Sequence, residues 1–350
     1  MIEIGVFELW FLDTGIIFIF VIGFLVCKRW NSKRLFHGIC IVCSLIIFSL
    51  PLVLKWYSPW PFASVHALFL SAITSLILVL KFLEWGFARD WNEIRTVPIK
   101  QLIIDFTSYS QLYSSTEKQS SLTINDIYRM NTTMLLRGVF QFITLRILMH
   151  LIPDTWLSLA LSSLTFWIWP IRYILLSFIL YISISAVTNI TFSVSAIIWT
   201  IPVQATFPAF PFTSCSIREF WSRRWNLFVK HLLHRISFVV IPKWVGVSQT
   251  MSNTIRGLIS FVLSGILHEL LFVMSTGRWS GKNLAFFLLH AVLVTIEIIW
   301  DRRRRTVQST QQFFRWLQTM AVMLITSPLF FDPWIEAGYF IALKQSLSWS

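Results

Sequence analysis

The fold class follows from stretches such as residues 256–276, RGLISFVLSGILHELLFVMST. A helix that crosses a lipid bilayer needs roughly 20 mostly apolar residues, and this stretch has that length. After its first residue it contains only two ionisable side chains, His268 and Glu269. Ionisable groups at membrane depth are costly and usually face the interior of the protein or a cavity. The stretch therefore predicts a membrane-spanning helix with a polar site inside the protein.

Apolar stretches of the same kind recur from one end of the chain to the other. Together they predict an all-α, polytopic membrane protein of about eight to ten transmembrane helices. We expect residues 1–350 to form a single membrane domain. The other candidate spans are residues 8–27, 36–54, 63–82, 134–152, 155–203 (long enough for two spans), 281–300 and 315–331.

Composition and charge agree with a membrane protein. Hydrophobic residues make up 56% of the 350 residues and charged residues 13%, whereas soluble domains have about 25% charged residues. The net charge is +13, which in a soluble protein would suggest nucleic-acid binding. Here the Lys and Arg residues form short clusters between apolar segments, a distribution typical of cytosolic loops. We therefore expect membrane lipids as partners and no nucleic acid.

The distribution of Lys and Arg also predicts orientation, because positively charged loops remain on the cytosolic side. The expected cytosolic segments are 28–34, the 83–133 loop, 218–235 and 302–305, and the expected lumenal turns are 55–62 and 277–280. We expect the endoplasmic reticulum to be the location of the protein.

This orientation requires an even number of spans between the 83–133 loop and residues 218–235, yet the sequence offers three candidates. Either 134–152 lies in the membrane interface, or 155–203 is broken into unequal pieces. Within the loop, residues 105–133 are rich in Ser and Thr without apolar periodicity, which predicts a mobile cytosolic segment.

No metal site or disulfide framework is indicated. Cys40 and Cys43 have CxxC spacing inside an apolar run, without a second pair of ligands. We expect both to be small buried apolar residues. His, Asp and Glu residues show no convergent spacing that would suit a metal ion.

One polar segment, Ser216-Ile-Arg-Glu-Phe-Trp-Ser-Arg-Arg-Trp-Asn226, is unusually rich in aromatic residues. On a helix, Arg218, Trp221 and Trp225 fall near one another at i, i+3 and i+4 spacing. One interpretation is an interfacial amphipathic helix with Trp and Arg at headgroup depth. The other is an entry site where arginines bind phosphates, since guanidinium groups make bidentate phosphate contacts.

His268 is the candidate catalytic residue, because a neutral imidazole in such a site is a plausible general base for a hydroxyl group. Ser264 lies on the same helix face, where its hydroxyl would orient the imidazole, and Gly265 leaves room for a ligand or another helix. Adjacent residues point about 100° apart on a helix, so Glu269 does not pair with His268. The alternative is a core histidine bonded to a neighbouring helix.

At these two segments the sequence resembles the wax synthase-like branch of the membrane-bound O-acyltransferase superfamily. The matching motifs are REFWSRRWN (218–226) and FVLSGILHEL (261–270), followed by weaker matches in LAFFLLHAVLVTIEIIW (284–300) and LITSPLFFDPWI (324–335). Ser222 stands where many relatives have Gly. The resemblance implies a helical bundle enclosing a tunnel, with residues 204–276 as its catalytic core.

The resemblance also implies an activity and the residues that perform it. Acyl-CoA would enter from the cytosolic side as co-substrate, with no bound cofactor, and a lipophilic alcohol would arrive from the membrane. The family's active-site histidine corresponds to His268 and its polar partner to Asn226. We further interpret Arg223, Arg224, Trp221 and Trp225 as acyl-CoA-binding residues, and Ser264 and Glu269 as supporting residues.

These motifs do not identify which alcohol accepts the acyl group. Plant members of the branch join fatty acyl groups to long-chain alcohols, whereas fungal members often acetylate terpenoid or meroterpenoid natural products. ARDWNEIRTVP (88–98) is similar to a Trp-Asn signature of the fungal group, which favours acetyl-CoA and a terpenoid secondary metabolite. Wax ester synthesis is the alternative. A transporter is the alternative of another class, although the inverted repeats and paired broken spans typical of transporters are not evident.

Overall fold

The computed structural model describes residues 3–57, 65–107, 122–158, 168–246, 252–301 and 309–348. Within these ranges the regular structure is helical. The helices are α1 (Glu3–Trp30), α2 (Lys33–Tyr57), α3 (Val65–Leu83), α4 (Trp91–Ile94), α5 (Ile99–Thr107), α6 (Ile124–Leu151), α7 (Asp154–Leu157), α8 (Ile168–Trp199), α9 (Ile217–Glu219), α10 (Leu227–Arg235), α11 (Ile241–Trp244), α12 (Asn253–Thr276), α13 (Lys282–Asp301), α14 (Ser309–Glu336) and α15 (Tyr339–Leu347).

Short irregular helices join several of these elements. Wider π-helical turns occupy Glu84–Ala88, Phe220–Arg224 and Ile236–Val240, and a 3₁₀ turn occupies Pro211–Thr213. Turns of the π type often occur at functional sites, and one of them forms most of the 218–226 motif.

Six helices in the described part of the chain are long and apolar enough to cross a membrane. They confirm an all-helical, multi-pass membrane protein. Helices α1 and α14 have 28 residues each and cover the first and last predicted spans. The six are Lys33–Val53, Val65–Ala88, Ile124–Leu151, Ile168–Trp199, Asn253–Thr276 and Lys282–Trp300.

The region predicted to hold one span too many contains two long helices, α6 and α8. Residues 155–203 include the end of the short α7 and the 32 residues of α8. Among the described residues, this arrangement is closer to the second alternative, unequal pieces, with two long helices between the loop and residues 218–235. The orientation itself stays a prediction.

The 83–133 segment has more regular structure than we predicted from its composition. It contains α4, α5 and the first residues of α6. Helix α6 starts early because Thr123 accepts a hydrogen bond from the Asp126 N–H while Asp126 accepts one from the Thr123 N–H, a reciprocal N-terminal cap. The predicted loop over 105–133 was therefore wrong at 105–107 and 124–133, which are helical. Residues 108–121, the centre of that predicted loop, lie outside the described residues.

The chain forms two compact units, each built from several separate segments. The first unit comprises Met1–Leu102, Val229–Thr295 and Ala337–Ala342, and the second comprises Ile103–Phe228, Ile296–Glu336 and Leu343–Ser350. The boundary between residues 228 and 229 divides the 204–276 region that we predicted to be a catalytic core.

The core of the first unit includes an aromatic cluster between α1, α2 and α3. The rings of Phe20 and Phe82 lie 4.7 Å apart, and those of Phe36 and Trp91 lie 5.5 Å apart. The Trp91 indole donates to Asn31 Oδ1 at 3.1 Å, which joins α4 to the turn between α1 and α2. Cys40 and Cys43 are free, buried thiols, as predicted.

In the second unit, α6 and α8 pack through polar and small residues. Gln141 Oε1 accepts hydrogen bonds from Ser185 Oγ at 3.0 Å and Asn189 Nδ2 at 2.9 Å. A Cβ on Gly138 would lie 2.9 Å from the Ile190 side chain, so the helices approach closely there. Small residues and interhelical hydrogen bonds are the usual means of packing helices in membranes. Asn189 is buried in this contact.

Candidate active site

The two motifs belong to different compact units. Residues 216–226 lie in the second unit, and α12 with His268 lies in the first.

The first turn of the 216–226 motif is bound by a carboxylate of α13. The backbone N–H groups of Ile217 and Arg218 donate to the two carboxylate oxygens of Glu297, at 3.2 and 2.8 Å. Ser216 Oγ accepts from the Glu219 N–H at 2.9 Å, so the first turn is capped twice. We did not identify Glu297 from the sequence. The sequence feature that could have indicated it is an acidic residue inside the apolar span of residues 284–300.

Arg224 is held in place by the protein itself. Its guanidinium donates to Glu219 Oε1 from Nε at 2.9 Å and from Nη2 at 2.6 Å. Its Nη1 also donates to the Phe210 carbonyl at 3.2 Å and to Thr213 Oγ1. Partial burial alone would raise the pKa of Glu219, but hydrogen bonds from the Cys215 N–H and Arg224 outweigh it and lower that pKa. Arg224 therefore stabilises the local fold.

Arg223, its neighbour, is exposed and has no hydrogen bond or ion pair among the described residues. The aromatic residues of the motif lie together beside it. Trp225 stacks on Phe220 with ring centroids 5.2 Å apart and planes 16° apart, and its centroid lies 6.2 Å from that of Trp221. The π-helical turn permits this stack, since the Trp225 N–H donates to the Phe220 carbonyl at 2.8 Å.

Asn226 is the last residue of the motif, and the backbone changes direction sharply there. Its φ is 36°, in the left-handed region that Asn tolerates better than most residues. The next residue, Leu227, donates its N–H to the Thr206 carbonyl at 2.9 Å. This backbone contact ties the motif to the segment that precedes it.

His268 lies on α12 with a defined ring orientation. Its Nδ1 is 2.8 Å from the backbone carbonyl oxygen of Ser264. Because a carbonyl oxygen only accepts hydrogen bonds, Nδ1 carries the proton in this contact. The orienting atom is thus the Ser264 carbonyl, whereas we expected its hydroxyl.

A second helix packs against His268. The Phe287 ring of α13 has its centroid 4.4 Å from that of the imidazole. A Cβ on Gly265 would lie 2.8 Å from Leu284 Cδ1 and 3.2 Å from Phe287 Cβ. Of the two partners that we considered for Gly265, a ligand or another helix, the structure has another helix.

Glu269 is fully buried and caps the start of α13. Its Oε1 accepts from the N–H groups of Ser280 and Gly281, each at 2.7 Å, and Oε2 from that of Leu284 at 3.4 Å. A carboxylate is favourable at a helix N-terminus, where unsatisfied N–H groups and the helix dipole attract negative charge. Glu269 thereby fixes α13, and with it Phe287, relative to His268.

The structure brings together Trp221 with Trp225, Arg224 with Glu219, and His268 with the Ser264 backbone. The pairing of Asn226 with His268 stays a prediction, as do the acyl-CoA contacts. Among the described residues, no group of three His, Cys, Asp or Glu side chains is arranged to hold a metal ion.

A sequence profile of the "Membrane bound O-acyl transferase family" matches residues 204–289. This segment is similar to O-acyltransferases. It contains the 218–226 motif, the 261–270 motif and Phe287. The weaker resemblance that we noted over 324–335 lies outside it.

Curated relatives match over about a third of the chain. A long-chain-alcohol O-fatty-acyltransferase of Simmondsia chinensis is 32% identical over 124 residues, which are 32% of this chain and 34% of that protein. A probable long-chain-alcohol O-fatty-acyltransferase 3 of Arabidopsis thaliana is 30% identical, over 37% of this chain and 39% of its own. The acyl-CoA–sterol O-acyltransferase 1 of Arabidopsis thaliana is 29% identical, over 35% and 36%. The chain thus spans about a third of the length of the curated relatives it matches.

Proposed function

We propose that the protein is an acyl-CoA-dependent O-acyltransferase that esterifies a lipophilic alcohol within the membrane, with His268 as general base. The observation that carries this proposal is the 2.8 Å contact between His268 Nδ1 and the Ser264 carbonyl. In a neutral imidazole with its proton on Nδ1, the lone pair is on Nε2. A base of this kind suits removal of a proton from a hydroxyl group near neutral pH.

The reaction needs no covalent acyl-enzyme. Nε2 of His268 takes the proton of the acceptor hydroxyl while the hydroxyl oxygen forms a bond to the thioester carbonyl carbon. The tetrahedral intermediate then loses the coenzyme A sulfur, whose bond to carbon breaks. The imidazolium returns its proton to the departing thiolate, so the products are an ester and free coenzyme A. Asn226 is the family-based candidate for stabilising the oxyanion or holding acyl-CoA.

The two arginines of the 218–226 motif differ in their suitability as phosphate ligands. Arg224 already donates to Glu219 Oε1 and to the Phe210 carbonyl. Arg223 is exposed, so its guanidinium can make charge-assisted phosphate contacts without breaking a structural bond. We therefore assign the phosphate contact to Arg223, with Trp221 and Trp225 as the adjoining aromatic surface.

Two acceptor classes are supported by different observations. The curated relatives are named for long-chain alcohols and for sterols, which favours a fatty acyl donor. The 88–98 segment is similar to a signature of fungal natural-product acetyltransferases, which favours acetyl-CoA and a terpenoid hydroxyl. In the structure, Trp91 of that segment donates to Asn31 Oδ1 and the Val97 carbonyl accepts from Lys28 Nζ. These contacts give the segment a packing role, so the fatty acyl donor is the better supported.

The test is an acyl-transfer assay on membranes from cells that express the chain. Labelled acetyl-CoA and labelled palmitoyl-CoA are each supplied with a long-chain alcohol, a sterol or a hydroxylated terpenoid. A labelled ester that depends on both substrates is the expected result. Membranes without the protein provide the background. Labelled ester at the background level with every pair would contradict the proposal.

The location of the protein is part of the same proposal. We infer the endoplasmic reticulum, where acyl-CoA on the cytosolic side and lipophilic alcohols in the bilayer meet. Six apolar helices support an integral, multi-pass membrane protein.

A further inference from the structure

Two buried hydroxyls on α3 differ from most serines in the membrane helices. Ser71 and Ser75 are 6% and 1% exposed, and neither Oγ has a hydrogen-bond partner among the described residues. Serines in helices commonly donate to the carbonyl four residues earlier. Ser44, Ser183 and Ser275 do so here, to the carbonyls of Cys40, Ile179 and Leu271. A buried hydroxyl without a partner is unfavourable in a membrane interior, so a ligand that accepts its hydrogen bond would stabilise it.

A third group of this kind lies on α13. Asn283 is fully buried, and neither its Nδ2 nor its Oδ1 has a partner among the described residues. Residues four apart share a helix face, so Asn283 lies one turn from Phe287. The Phe287 ring is the one whose centroid lies 4.4 Å from that of His268. Asn283 is therefore on the part of α13 that adjoins the candidate base.

The two unpartnered α3 hydroxyls lie on a helix that packs directly against α12. The end of α3 is joined to α12 through residues 235–237. Arg235 Nε is 3.5 Å from Glu84 Oε1, and Ser237 Oγ is 2.5 Å from Ser260 Oγ on α12. The C-terminal end of α3 thus lies at the N-terminal part of α12, so the two helices run in opposite directions.

These contacts place Ser75 at the membrane depth of His268. Residue 268 is eight positions beyond Ser260, and residue 75 is nine positions before Glu84. At about 1.5 Å per residue, both lie roughly 12–14 Å along their helices from the joined ends. A hydroxyl donor on a neighbouring helix at the depth of the base suits a group that contacts the same reacting centre.

We propose that Ser75 donates a hydrogen bond to the thioester carbonyl oxygen of the acyl donor, with Ser71 and Asn283 binding further uncharged polar groups of the substrates. This inference rests on the proposed acyl transfer. As the acceptor oxygen bonds to the carbonyl carbon, negative charge develops on the carbonyl oxygen, and a preorganised donor stabilises it. Ser75 keeps its own proton throughout. The acceptor proton goes to His268 and then to the thiolate that leaves.

The test compares Ser75→Ala with Ser275→Ala in purified full-length protein. Ser275 is the matched control, because it is also 1% exposed but already donates to the Leu271 carbonyl at 2.6 Å. Loss of one oxyanion donor typically lowers kcat by about 10²–10³. We expect kcat of Ser75→Ala to fall at least tenfold, with a smaller change in KM for acyl-CoA, and kcat of Ser275→Ala to stay near that of the wild type.

Two further variants keep the proposal falsifiable if Ser75→Ala does not fold. Ser75→Thr keeps the hydroxyl and should retain most of the turnover, whereas Ser75→Cys keeps a similar volume with a weak donor and should lose it. Wild-type kcat in folded Ser75→Ala or Ser75→Cys would overturn this proposal and leave the acyl transfer intact. An inactive wild type, with no ester above background, would instead overturn the proposed function and this inference with it.

Discussion

At the residue scale, the two adjacent arginines of the 218–226 motif should respond differently to the same substitution. Arg223→Gln should fold normally and raise KM for acyl-CoA by roughly tenfold to 150-fold, the effect of one lost charged hydrogen bond. Arg224→Gln should instead lower the melting temperature, because it removes the contacts with Glu219 and the Phe210 carbonyl. Acyl-CoA kinetics and thermal unfolding of the two variants make the comparison. Unchanged KM in folded Arg223→Gln would leave only an interfacial role for that residue.

Ser264 provides a second test at this scale. Its backbone carbonyl, which a substitution keeps, orients the His268 ring. Ser264→Ala should therefore change turnover by no more than about the few-fold effect of one neutral hydrogen bond.

The contrary result for Ser264 is equally specific. If this residue forms a covalent acyl intermediate, Ser264→Ala should be inactive, and the wild type should retain labelled acyl groups when no alcohol is present. That outcome would replace direct transfer with a two-step reaction.

Single polar residues could be found in the sequence where they interrupt an apolar span. His268 and Glu269 stood out for this reason, and Glu269 is fully buried as expected. Their partners could not be found in this way. The bond between His268 and the Ser264 carbonyl, like the cap that Glu269 forms on Ser280 and Gly281, depends on backbone atoms, which residue identity does not specify.

At the scale of elements, the approach of α12 to α13 depends on Gly265. A methyl group there would lie 2.8 Å from Leu284 Cδ1 and 3.3 Å from Leu284 Cα, so α13 and Phe287 must shift. Overpacking of this kind costs about 1–3 kcal/mol. Gly265→Ala should therefore lower both thermal stability and turnover, because Phe287 packs against the His268 ring.

Gly257→Ala is the control for this variant, since it makes the same change in the same helix. A Cβ on Gly257 would meet nothing within 4 Å, so Ala should stabilise the helix by roughly 0.5–1 kcal/mol. Differential scanning fluorimetry and the acyl-transfer assay distinguish the pair. Equal stability and turnover in both variants would show that the close approach of α12 to α13 at Gly265 does not affect stability or activity.

Long apolar helices were the elements that the sequence predicted well. In a bilayer, a stretch of about twenty apolar residues must satisfy its backbone hydrogen bonds internally, and an α-helix does so. The start of α6 was missed, since its Ser/Thr-rich sequence has no apolar periodicity and the Thr123–Asp126 cap decides the boundary. The π-helical turn at Phe220–Arg224 was also missed. An ordinary helix and a wider turn differ in backbone hydrogen bonds, which spacing alone cannot distinguish.

At the scale of the whole molecule, the proposed reaction uses segments that are distant in the chain. The 218–226 motif depends on Glu297, α12 contacts Ser237 through Ser260, and Arg235 contacts Glu84 just after α3. The two motifs are evident in the sequence, but these supporting contacts are not, because each residue involved is of a common type at an ordinary position. The combination of Asn226 and His268 in one site stays a prediction.

In the proposed reaction, a half-buried histidine within a membrane-spanning helix acts as the base. His268→Gln keeps a polar side chain of similar reach but cannot accept a proton near neutral pH. General base catalysis typically contributes 10²–10⁴ in rate, so kcat should fall by about that factor while protein level and acyl-CoA binding persist. His290→Gln is the control, since His290 is a fully buried histidine in the same unit and has no part in the proposed reaction.

The deciding measurement is therefore kcat of purified His268→Gln and His290→Gln with saturating acyl-CoA and alcohol. We predict a loss of about 10²–10⁴ for the first and a change of no more than a few-fold for the second. Near wild-type turnover in well-folded His268→Gln would contradict the assignment of His268 as the base.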